Sequence, residues 1–413
     1  MTGSPVATAV DTEVVVVGGG PAGAAAAITL ARAGRDVTVV DKARFPRDKC
    51  CGDGLTAAAL RELEGLGVTP DSVTGWQVVE EAWLRSPSGH TVCLPLPTDG
   101  QFAAVVPRAD LDAAVLDAAR AAGAKVHDGH GLRAARADGR GVVLDVDGLG
   151  SLRALYAIGA DGAWSPLRHA LGAHLPGYLG DWHAFRQYFT GVGPAAASGL
   201  WVWFEADLLP GYAWSFPLPG GRANVGFGIQ RDAGIPVRDM KRLWPDLLGR
   251  PHVRQVLGDA RPEGSHKAWP IPARVRQIRL TAAAGRALFA GDATAATDPL
   301  TGEGIAQALL TGRLAAEAVL AAGPARPVLA ARRYEAEVGK ALFADHRLAA
   351  FLSDVLSHRK GARAAIRLAG ASAWTRRNFG RWLFEDYPRA VVATPARWRR
   401  GMFHGPGAYR AQR

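Results

Sequence analysis

Three glycines near the start of the chain, Gly18, Gly20 and Gly23, have the spacing G-x-G-x-x-G. Such glycines let a turn tighten and let the backbone approach a pyrophosphate, which the free N–H groups of a following helix attract. Asp41 comes 18 residues after the last of these glycines and is suited to accept hydrogen bonds from a ribose hydroxyl. The spacing therefore predicts a dinucleotide site, with Lys42 beside it.

A strand, a helix and a second strand must position these residues. The β-branched run 13–17 predicts a buried parallel strand, the alanine-rich segment 24–34 a helix, and residues 36–40 a second strand. This βαβ context gives the glycine motif its weight, because the same motif alone is a weak signal. The sequence predicts an α/β fold with a Rossmann-like nucleotide-binding domain. The alternative is a tight turn in an unrelated α/β domain.

Two distant segments favour FAD over NAD as the dinucleotide. Asp161 and Asp292 each follow a strand-like run, where a carboxylate beside a phosphate loop can hold a ribityl hydroxyl. Gly302 and Gly304 precede a long apolar helix, whose N–H groups could face the electron-rich edge of a flavin. Asp292 and Glu303 are both interpreted as residues close to the flavin.

With these elements, residues 12–320 resemble FAD-dependent flavoproteins of the monooxygenase type. The resemblance implies a substrate domain inserted into the FAD domain, and it implies that Arg108, in the segment 106–112, approaches the cofactor. The alternative for Arg108 is a solvated residue in the first turn of a helix. A second dinucleotide motif does not occur in the sequence. We therefore expect electrons from transiently bound NAD(P)H, or from a partner protein such as a reductase or ferredoxin.

Two further blocks narrow the resemblance. Residues 45–56 read FPRDKCCGDGLT, and residues 210–217 read PGYAWSFP, followed by NVGFG at 224–228. Both blocks resemble the geranylgeranyl reductase family, which implies reduction of double bonds in geranylgeranyl chains, archaeal-type lipids or menaquinone tails. Cys51 takes the position of the family cysteine. Cys50 departs from the family pattern, which usually has proline there.

Aromatic residues on two predicted strands could form an apolar substrate pocket. Strand alternation puts Trp201 and Trp203 on one face of the first strand, and Tyr212, Trp214 and Phe216 on one face of the second. We predict that Trp203, Trp214 and Phe216 line the pocket, where aromatic surface could hold an isoprenoid chain. The alternative for each of them is ordinary core packing.

Saturation of an isolated alkene needs a proton as well as the hydride that a reduced flavin supplies. Cys51 and Tyr212 are the predicted proton donors because of their places in the family motifs, although either could be structural. The chain has three cysteines and lacks a Cys/His cluster at zinc spacing, so we predict neither a disulfide framework nor a metal site.

Positive charge is concentrated at the end of the chain. Residues 355–413 contain 13 Arg and Lys against two Asp and Glu, while the rest of the chain is neutral. The segment 374–384 has the helical spacing of an amphipathic helix, with apolar positions Phe379, Trp382 and Leu383 and with Arg377 and Arg381. An anionic membrane surface or a diphosphate group would suit these arginines. The alternative is a solvated helical cap whose aromatic side chains pack inward.

The composition, with 48% apolar and 21% charged residues among 413, excludes a disordered or fibrous chain. The sequence predicts an FAD-binding domain at 1–75, 100–175 and 275–325, an antiparallel-sheet substrate domain at 76–99 and 176–274, and a helical basic region at 326–413. Neither a signal peptide nor a transmembrane stretch is predicted, so we expect a cytoplasmic chain that is either free or peripheral on the membrane. Nucleic acid is not an expected partner, because the sequence has no recognised motif for it.

Three functions are consistent with the sequence. The first is an FAD-dependent prenyl reductase acting on a prenyl lipid or another apolar small molecule. The second is a flavin-dependent monooxygenase or halogenase acting on an aromatic or polyketide-like substrate. Tyr212 and Phe216 argue against halogenation, because related halogenases generally have W-x-W-x-I-P at this site. The third is a non-catalytic, membrane-associated flavin-binding protein.

Overall fold

Strands dominate the first two thirds of the chain and helices the last third. The computed structural model describes residues 11–231, 233–398 and 400–410. The strands are β1 (Thr12–Val17), β2 (Val37–Asp41), β3 (Gly54–Thr56), β4 (Gln77–Val78), β5 (Glu81–Arg85), β6 (Thr91–Pro95), β7 (Ala103–Val105), β8 (Lys125–Asp128), β9 (Leu132–Ala137), β10 (Val142–Val146), β11 (Gly150–Gly159), β12 (Trp182–Thr190), β13 (Leu200–Trp203), β14 (Tyr212–Leu218), β15 (Arg222–Gln230), β16 (Arg261–Ile271), β17 (Thr281–Ala282) and β18 (Ala287–Phe289). The helices are α1 (Pro21–Arg32), α2 (Ala57–Gly65), α3 (Arg108–Ala121), α4 (Pro166–Ala170), α5 (Pro194–Ser198), α6 (Met240–Gly249), α7 (Pro251–Leu257), α8 (Ile305–Ala322), α9 (Pro327–Leu356), α10 (Arg359–Gly370) and α11 (Ala373–Leu383).

The first sheet contains the strands around the glycine motif. Its order is β17-β18-β11-β1-β2-β8, and β10 and β9 extend it from β11. Strands β18, β11, β1, β2 and β8 are parallel. The β-branched residues of β1 are almost completely buried, because α1, α3 and α8 cover one face of the sheet and β10 with α4 covers the other. The carboxyl ends of the parallel strands meet at one edge, where open α/β sheets bind ligands.

The second sheet has the order β16-β12-β15-β14-β13-β5-β6, and a small third sheet has the order β3-β7-β4. The second sheet is antiparallel except for the pair β13 and β5, which is parallel. Its strands come from residues 81–95 and 182–271, inserted between strands of the first sheet. The fold is therefore α/β with an inserted, mostly antiparallel sheet, as the sequence predicts. The domain boundaries themselves stay a prediction.

The two faces of the second sheet have different partners. One face packs on α6 and α7, with Trp203, Phe227 and Trp244 in a shared core. The other face carries Leu84 and Val202, and it shares a separate core with side chains of the last helices. This second face is turned toward the FAD-binding part of the chain and forms a wall of the site.

The last helices and the tail that follows them are fixed to the rest of the chain. Arg381 and Asp386, both almost completely buried, form an ion pair. Beyond them, Ala408 forms a β-bridge with Gln101, and the Tyr409 hydroxyl donates to the carbonyl of Val68 at 2.8 Å. A buried ion pair holds its segment firmly, because removing one partner would leave an uncompensated charge.

Helix α8 is long and apolar enough to cross a membrane by length and composition alone, and 72% of that window is buried inside the protein. It packs closely on α1 at Gly312. A Cβ atom at that glycine would lie 1.9 Å from the carbonyl oxygen of Ala22, at the start of α1. Only a glycine lets α8 approach α1 this closely, and this contact positions α1 behind the glycine motif.

We expect Gly312→Ala to lower the free energy of unfolding by about 3 kcal/mol, because overpacking forces backbone shifts. Gly65→Ala is the matched control, since Gly65 is also helical and a Cβ there would meet no atom within 4 Å. That control should be neutral or stabilising by up to about 1 kcal/mol. Urea unfolding of both variants measures the difference, and equal midpoints would contradict this packing.

Candidate active site

A cavity of about 880 Å³ joins the carboxyl edge of the first sheet to the second sheet and to α9, α10 and α11. Its first end is lined by the glycine motif, and its other end by apolar side chains of β13, β14 and the last helices. The cavity brings together most of the residues that the sequence predicts for the site: Gly18, Gly20, Asp41, Lys42, Cys51, Arg108, Asp161, Tyr212, Trp214, Phe216, Asp292, Gly302 and Gly304. Gly23 and Trp203 are outside this lining.

The glycine motif forms a cradle that side chains would fill. Gly18 has a φ of +105°, and a Cβ there would lie 2.2 Å from the carbonyl oxygen of Ala160. A Cβ at Gly23 would lie 1.8 Å from the carbonyl oxygen of Gly18, so α1 packs directly on this turn. Gly20 is the N-cap of α1 and provides no side-chain cap, which leaves N–H groups of the first turn free for a phosphate. These features fit the pyrophosphate of FAD.

Asp41 orders the loop that would hold a ribose. Its carboxylate accepts hydrogen bonds from the N–H groups of Gly19, at 2.7 Å, and Ala43, at 2.8 Å. Each carboxylate oxygen keeps a further lone pair for a ligand hydroxyl. Lys42 follows directly and also lines the cavity.

Asp161 and Asp292 follow neighbouring parallel strands, as the sequence predicts, but their surroundings differ. Asp161 accepts hydrogen bonds from the hydroxyl of Ser165, the N-cap of α4, and from the Leu167 N–H in the first turn of that helix. Burial raises the pKa of Asp161 to about 6. Asp292 forms an ion pair with Lys49 at 2.7 Å. Burial raises the pKa of Asp292, but Lys49 and then Arg108 together more than offset burial and hold this pKa below its ordinary value. Both carboxylates are therefore ionised at pH 7, and Asp292 is the stronger acid of the two.

Some of the backbone N–H groups at the N-terminus of α8 already have hydrogen-bond acceptors within the protein. The carboxylate of Glu303 accepts hydrogen bonds from the N–H groups of Ile305, at 2.9 Å, and Ala306, at 3.1 Å. The N–H of Gly302 donates to the carbonyl of Asp298. This differs from the expectation that the helix presents its free N–H groups to a flavin edge, because a side chain in the same loop takes two of them.

Glu303 is an unusual acid at the cavity wall. Burial, and next the neighbouring Glu385 carboxylate, raise the pKa of Glu303 to about 8. Glu385 is held by the Thr56 hydroxyl, by the Gln307 amide and by Arg389, which also forms an ion pair with Asp298 at 2.9 Å. Glu303 thus keeps its proton at neutral pH. Sequence reasoning could not find this group of side chains, because Glu385 and Arg389 come from the distant basic tail.

Residues 45–56, which we call the cysteine loop, contact the residue that the resemblance places near the cofactor. Arg108 donates two hydrogen bonds of 2.7 Å to Asp112, and it also lies beside the thiol of Cys51. Burial raises the pKa of Cys51, so its thiol keeps its proton. Cys50 and Cys51 are both free thiols. Arg108 is buried and ion-paired, which differs from the alternative of a solvated helix residue.

A buried carboxylate within this loop, Asp53, was missed by sequence reasoning. Asp53 is completely buried with a φ of +65°, and it accepts hydrogen bonds from the Tyr188 hydroxyl and the Asn224 amide. The same amide donates to the carbonyl of Cys51, and the Asn224 carbonyl accepts from the Trp214 indole at 3.1 Å. Asn224 therefore couples the orientation of Trp214 to the position of Cys51. The sequence feature that could have indicated this role is the place of Asn224 in the block 224–228.

The aromatic residues of β14 line the apolar end of the cavity. Tyr212, Trp214 and Phe216 project from one face, with successive ring centroids 6.1 and 6.0 Å apart. The Tyr212 hydroxyl donates to the carbonyl of Thr301, so the loop bearing Glu303 lies against this aromatic wall. The opposite wall comes from α9, α10 and α11 through Leu352, Val355, Leu356, Ala365, Ile366, Phe379, Trp382 and Leu383.

The prediction that Trp203 lines the substrate pocket is wrong. It is 1% exposed and packs in the core on the opposite face of the sheet, against α6 and α7. The register pairs Trp203 with Ala213, whereas Val202 pairs with Trp214 and lines the cavity. Paired residues of neighbouring strands share a face, so Trp203 and Trp214 point to opposite sides. Alternation was predicted correctly, but alternation alone does not say which face meets the ligand.

The amphipathic segment of the tail forms α11, and its predicted apolar positions point inward. Phe379, Trp382 and Leu383 line the cavity. Arg381 is 1% exposed and is paired with Asp386. These four side chains therefore match the alternative of inward packing, and they are not a membrane-facing surface.

The comparisons with known proteins identify the family of this chain. Residues 11–313 match the family described as FAD binding domain. The menaquinone reductase of Mycolicibacterium smegmatis is 37% identical over 332 residues, which cover 75% of this chain and 77% of that protein. Digeranylgeranylglycerophospholipid reductase 1 of Methanopyrus kandleri is 32% identical over 324 residues, covering 75% and 80%. A geranylgeranyl bacteriochlorophyll reductase-like protein from Thermoplasma acidophilum has a TM-score of 0.77 at 20% identity, covering 94% of this chain and 99% of that chain.

The sheet, the glycine cradle and the cavity define an FAD-dependent oxidoreductase. The similarity to each of these two reductases covers three quarters of this chain. The chain belongs to the geranylgeranyl reductase family of these flavoproteins.

Proposed function

We propose that this enzyme saturates C=C bonds in the prenyl chain of a lipid, using FAD as its redox cofactor. The observation that carries the proposal is one continuous cavity with a dinucleotide-binding end and an aromatic, apolar end. An isoprenoid has no polar group to recognise along its chain, so burial against aromatic and aliphatic side chains is what can bind it. The names of the relatives make a menaquinone tail the first substrate to test and a geranylgeranyl lipid the second.

The residues at the first end are suited to hold FAD. The α1 N-terminus at Gly20 would bind the pyrophosphate, Asp41 a ribose hydroxyl, and the ionised Asp292 a hydroxyl of the ribityl chain. FAD, when bound and reduced, supplies the hydride that one carbon of the double bond needs. Cys51 and Arg108 lie on the cavity wall beside this end.

Glu303 is the group best suited to supply the proton to the other carbon. A general acid works best when its pKa lies near the operating pH, and the pKa of Glu303 is about 8. The predicted donors are weaker acids, because burial raises the pKa of the Cys51 thiol and of the Tyr212 hydroxyl above their ordinary values. The Tyr212 proton is also engaged with the carbonyl of Thr301. Donation breaks the O–H bond of Glu303, and solvent then restores the proton.

Anaerobic reoxidation of the reduced holoenzyme tests the proposal. The flavin is reduced with dithionite, oxygen is excluded, and geranylgeranyl diphosphate or a digeranylgeranyl lipid is added while flavin absorbance is followed. We expect reoxidation together with a product heavier by two hydrogens. A flavin that stays reduced with both lipids until oxygen is admitted would exclude them as substrates. If a menaquinone tail is also left unchanged, the proposal is contradicted and a monooxygenase or halogenase is favoured.

We further propose that the enzyme acts in the cytoplasm and receives electrons from NAD(P)H or from a reductase or ferredoxin. Support for the first part is the set of three free cysteines, which suits a reducing compartment. Reduction of the bound flavin by NADH, NADPH and reduced ferredoxin, each compared without substrate, distinguishes the donors.

A further inference from the structure

The apolar end of the cavity reaches the surface between α9, α10 and α11. Val355 lines the cavity and is also 37% exposed, so it lies at the rim. Gly361 fixes the start of α10 against α9, because a Cβ there would lie 2.1 Å from the carbonyl oxygen of Val355. Three large apolar side chains on these helices face solvent: Phe351, Leu368 and Trp374 are 62%, 70% and 72% exposed. These three residues and Val355 form what we name the rim patch.

The same helices carry cations without acidic partners. Within the described residues, the side chains with no ion pair include Arg359, Lys360, Arg363, Arg367 and Arg377. The sequence has no Asp or Glu from residue 355 to residue 384, and the exposed Asp354 is the nearest acid before that stretch. Three other basic residues of the tail, Arg381, Arg389 and Arg397, do form ion pairs.

Helix α10 arranges these residues in an order suited to a membrane surface. Its buried positions Ala362, Ile366 and Ala369 face the protein. With 3.6 residues per turn, Arg359, Arg363 and Arg367 form one stripe along the helix. The exposed Ala364 and Leu368 lie between this stripe and Ala365, which lines the cavity. Around the circumference of α10, a cationic face is therefore followed by an exposed apolar face and then by the face that lines the cavity.

We propose that the rim patch and its flanking cations dock on an anionic lipid bilayer, and that the prenyl tail enters the cavity directly from that bilayer. Exposed Trp, Phe and Leu side chains beside Arg and Lys are the composition of an interfacial surface, since the rings insert and the cations meet lipid phosphates. An acidic protein would match the cations but leave the large apolar side chains unexplained. The entry route rests on the proposed function, whereas the docking does not.

Vesicle sedimentation tests the docking without any turnover. The oxidised holoenzyme is mixed with vesicles of phosphatidylcholine, with or without phosphatidylglycerol, and neither contains a prenyl lipid. We expect binding to the anionic vesicles only, weakening with added salt. The double variant Arg363→Gln/Arg367→Gln should bind about thirtyfold more weakly, at about 1 kcal/mol for each charge lost near the surface.

Arg332→Gln/Arg333→Gln is the matched control. Both residues are exposed on α9 without an ion pair in the described part of the chain, and they lie about 30 Å along that helix from Val355. This control should change vesicle binding less than about threefold, as one expects of charges outside the contact surface. Equal losses in both variants would overturn the proposal, because they would show only a general attraction of a basic protein. Absence of binding to anionic vesicles at low salt would overturn it too, and would favour an acidic protein partner.

The variant Leu368→Gln distinguishes the contribution of apolar insertion to vesicle binding from the contribution of charge. It leaves every cation in place, and we expect it to weaken binding to anionic vesicles by the same factor at low and high salt, because the apolar contribution is not screened, whereas the loss in the arginine variant should shrink with salt. If Leu368→Gln binds like the wild type at all salt concentrations, the rim patch does not contact the bilayer. Turnover of a detergent-solubilised prenyl lipid should stay unchanged in both α10 variants, so a failure of docking is distinguishable from a failure of prenyl reduction.

Discussion

Glu303→Gln is expected to slow reduction of the prenyl chain by about a hundredfold, the lower end of the usual contribution of a general acid. Glutamine keeps the size and the hydrogen-bonding oxygen of the side chain but has no acidic proton. Single-turnover flavin reoxidation measures the effect. In the wild type the rate should fall as pH rises through about 8, where Glu303 loses its proton, and this dependence should vanish in the variant.

Glu317→Gln is the control, because Glu317 is an exposed residue of the same helix. It should reduce substrate at the wild-type rate with the wild-type pH profile. A Glu303→Gln enzyme that keeps the wild-type rate would remove Glu303 as the proton donor and return Cys51 and Tyr212 to first consideration.

Stability offers a readout of Glu303 that needs no substrate. Its pKa is raised from the ordinary 4.5 to about 8 in the folded chain, so between these pH values the folded chain holds a proton that the unfolded chain has lost. The contribution of Glu303 to the free energy of unfolding therefore falls as pH rises from 4.5 to 8. Glutamine removes this fall, so Glu303→Gln should gain stability relative to wild type as pH rises. Urea unfolding at pH 5 and pH 8 checks the sign.

Ala365→Trp should reduce the single-turnover rate with a prenyl lipid by at least about tenfold, because the added ring occupies the apolar end of the cavity. The glycine cradle lies at the other end, so FAD content and dithionite reduction should match the wild type. Flavin absorbance measures all three quantities on one sample.

Ala364→Trp is the adjacent control on α10. Ala364 is exposed, so the same added ring projects away from the cavity. With substrate in detergent, this variant should turn over like the wild type. If both tryptophans slow reduction equally, the effect belongs to the helix as a whole, and the cavity does not hold the prenyl chain.

Local patterns were enough to predict the nucleotide-binding part of the fold. The strand, glycine turn and helix at residues 12–32 are contiguous in sequence, and the structure forms them as β1, Gly18–Gly20 and α1. Gly18 and Gly23 must be glycine for steric reasons that the spacing already expresses. Asp161 and Asp292 were predicted because an acid at the end of a parallel strand reaches the shared carboxyl edge.

The rest of the site depends on register and on long-range assembly, which one sequence does not express. Trp203 could not be assigned to a face, because the face depends on its pairing with Ala213. The raised pKa of Glu303 comes first from burial and next from Glu385, which the tail brings back over the start of α8. Likewise, the amphipathic spacing of α11 is the same whether its apolar stripe faces lipid or a cavity, and only packing decides.

The most direct test of prenyl reduction uses menaquinone under one turnover. Reduced holoenzyme is mixed with the lipid anaerobically and air is then admitted. The mass of the recovered lipid is measured by mass spectrometry. The quinone ring can also accept two electrons, but the quinol returns to quinone in air, so a gain of two hydrogens that survives aeration must lie in the tail. We predict such a gain with wild type and Ala364→Trp and a much smaller one with Ala365→Trp. A flavin that reduces only the ring, with the tail unchanged, would contradict the account.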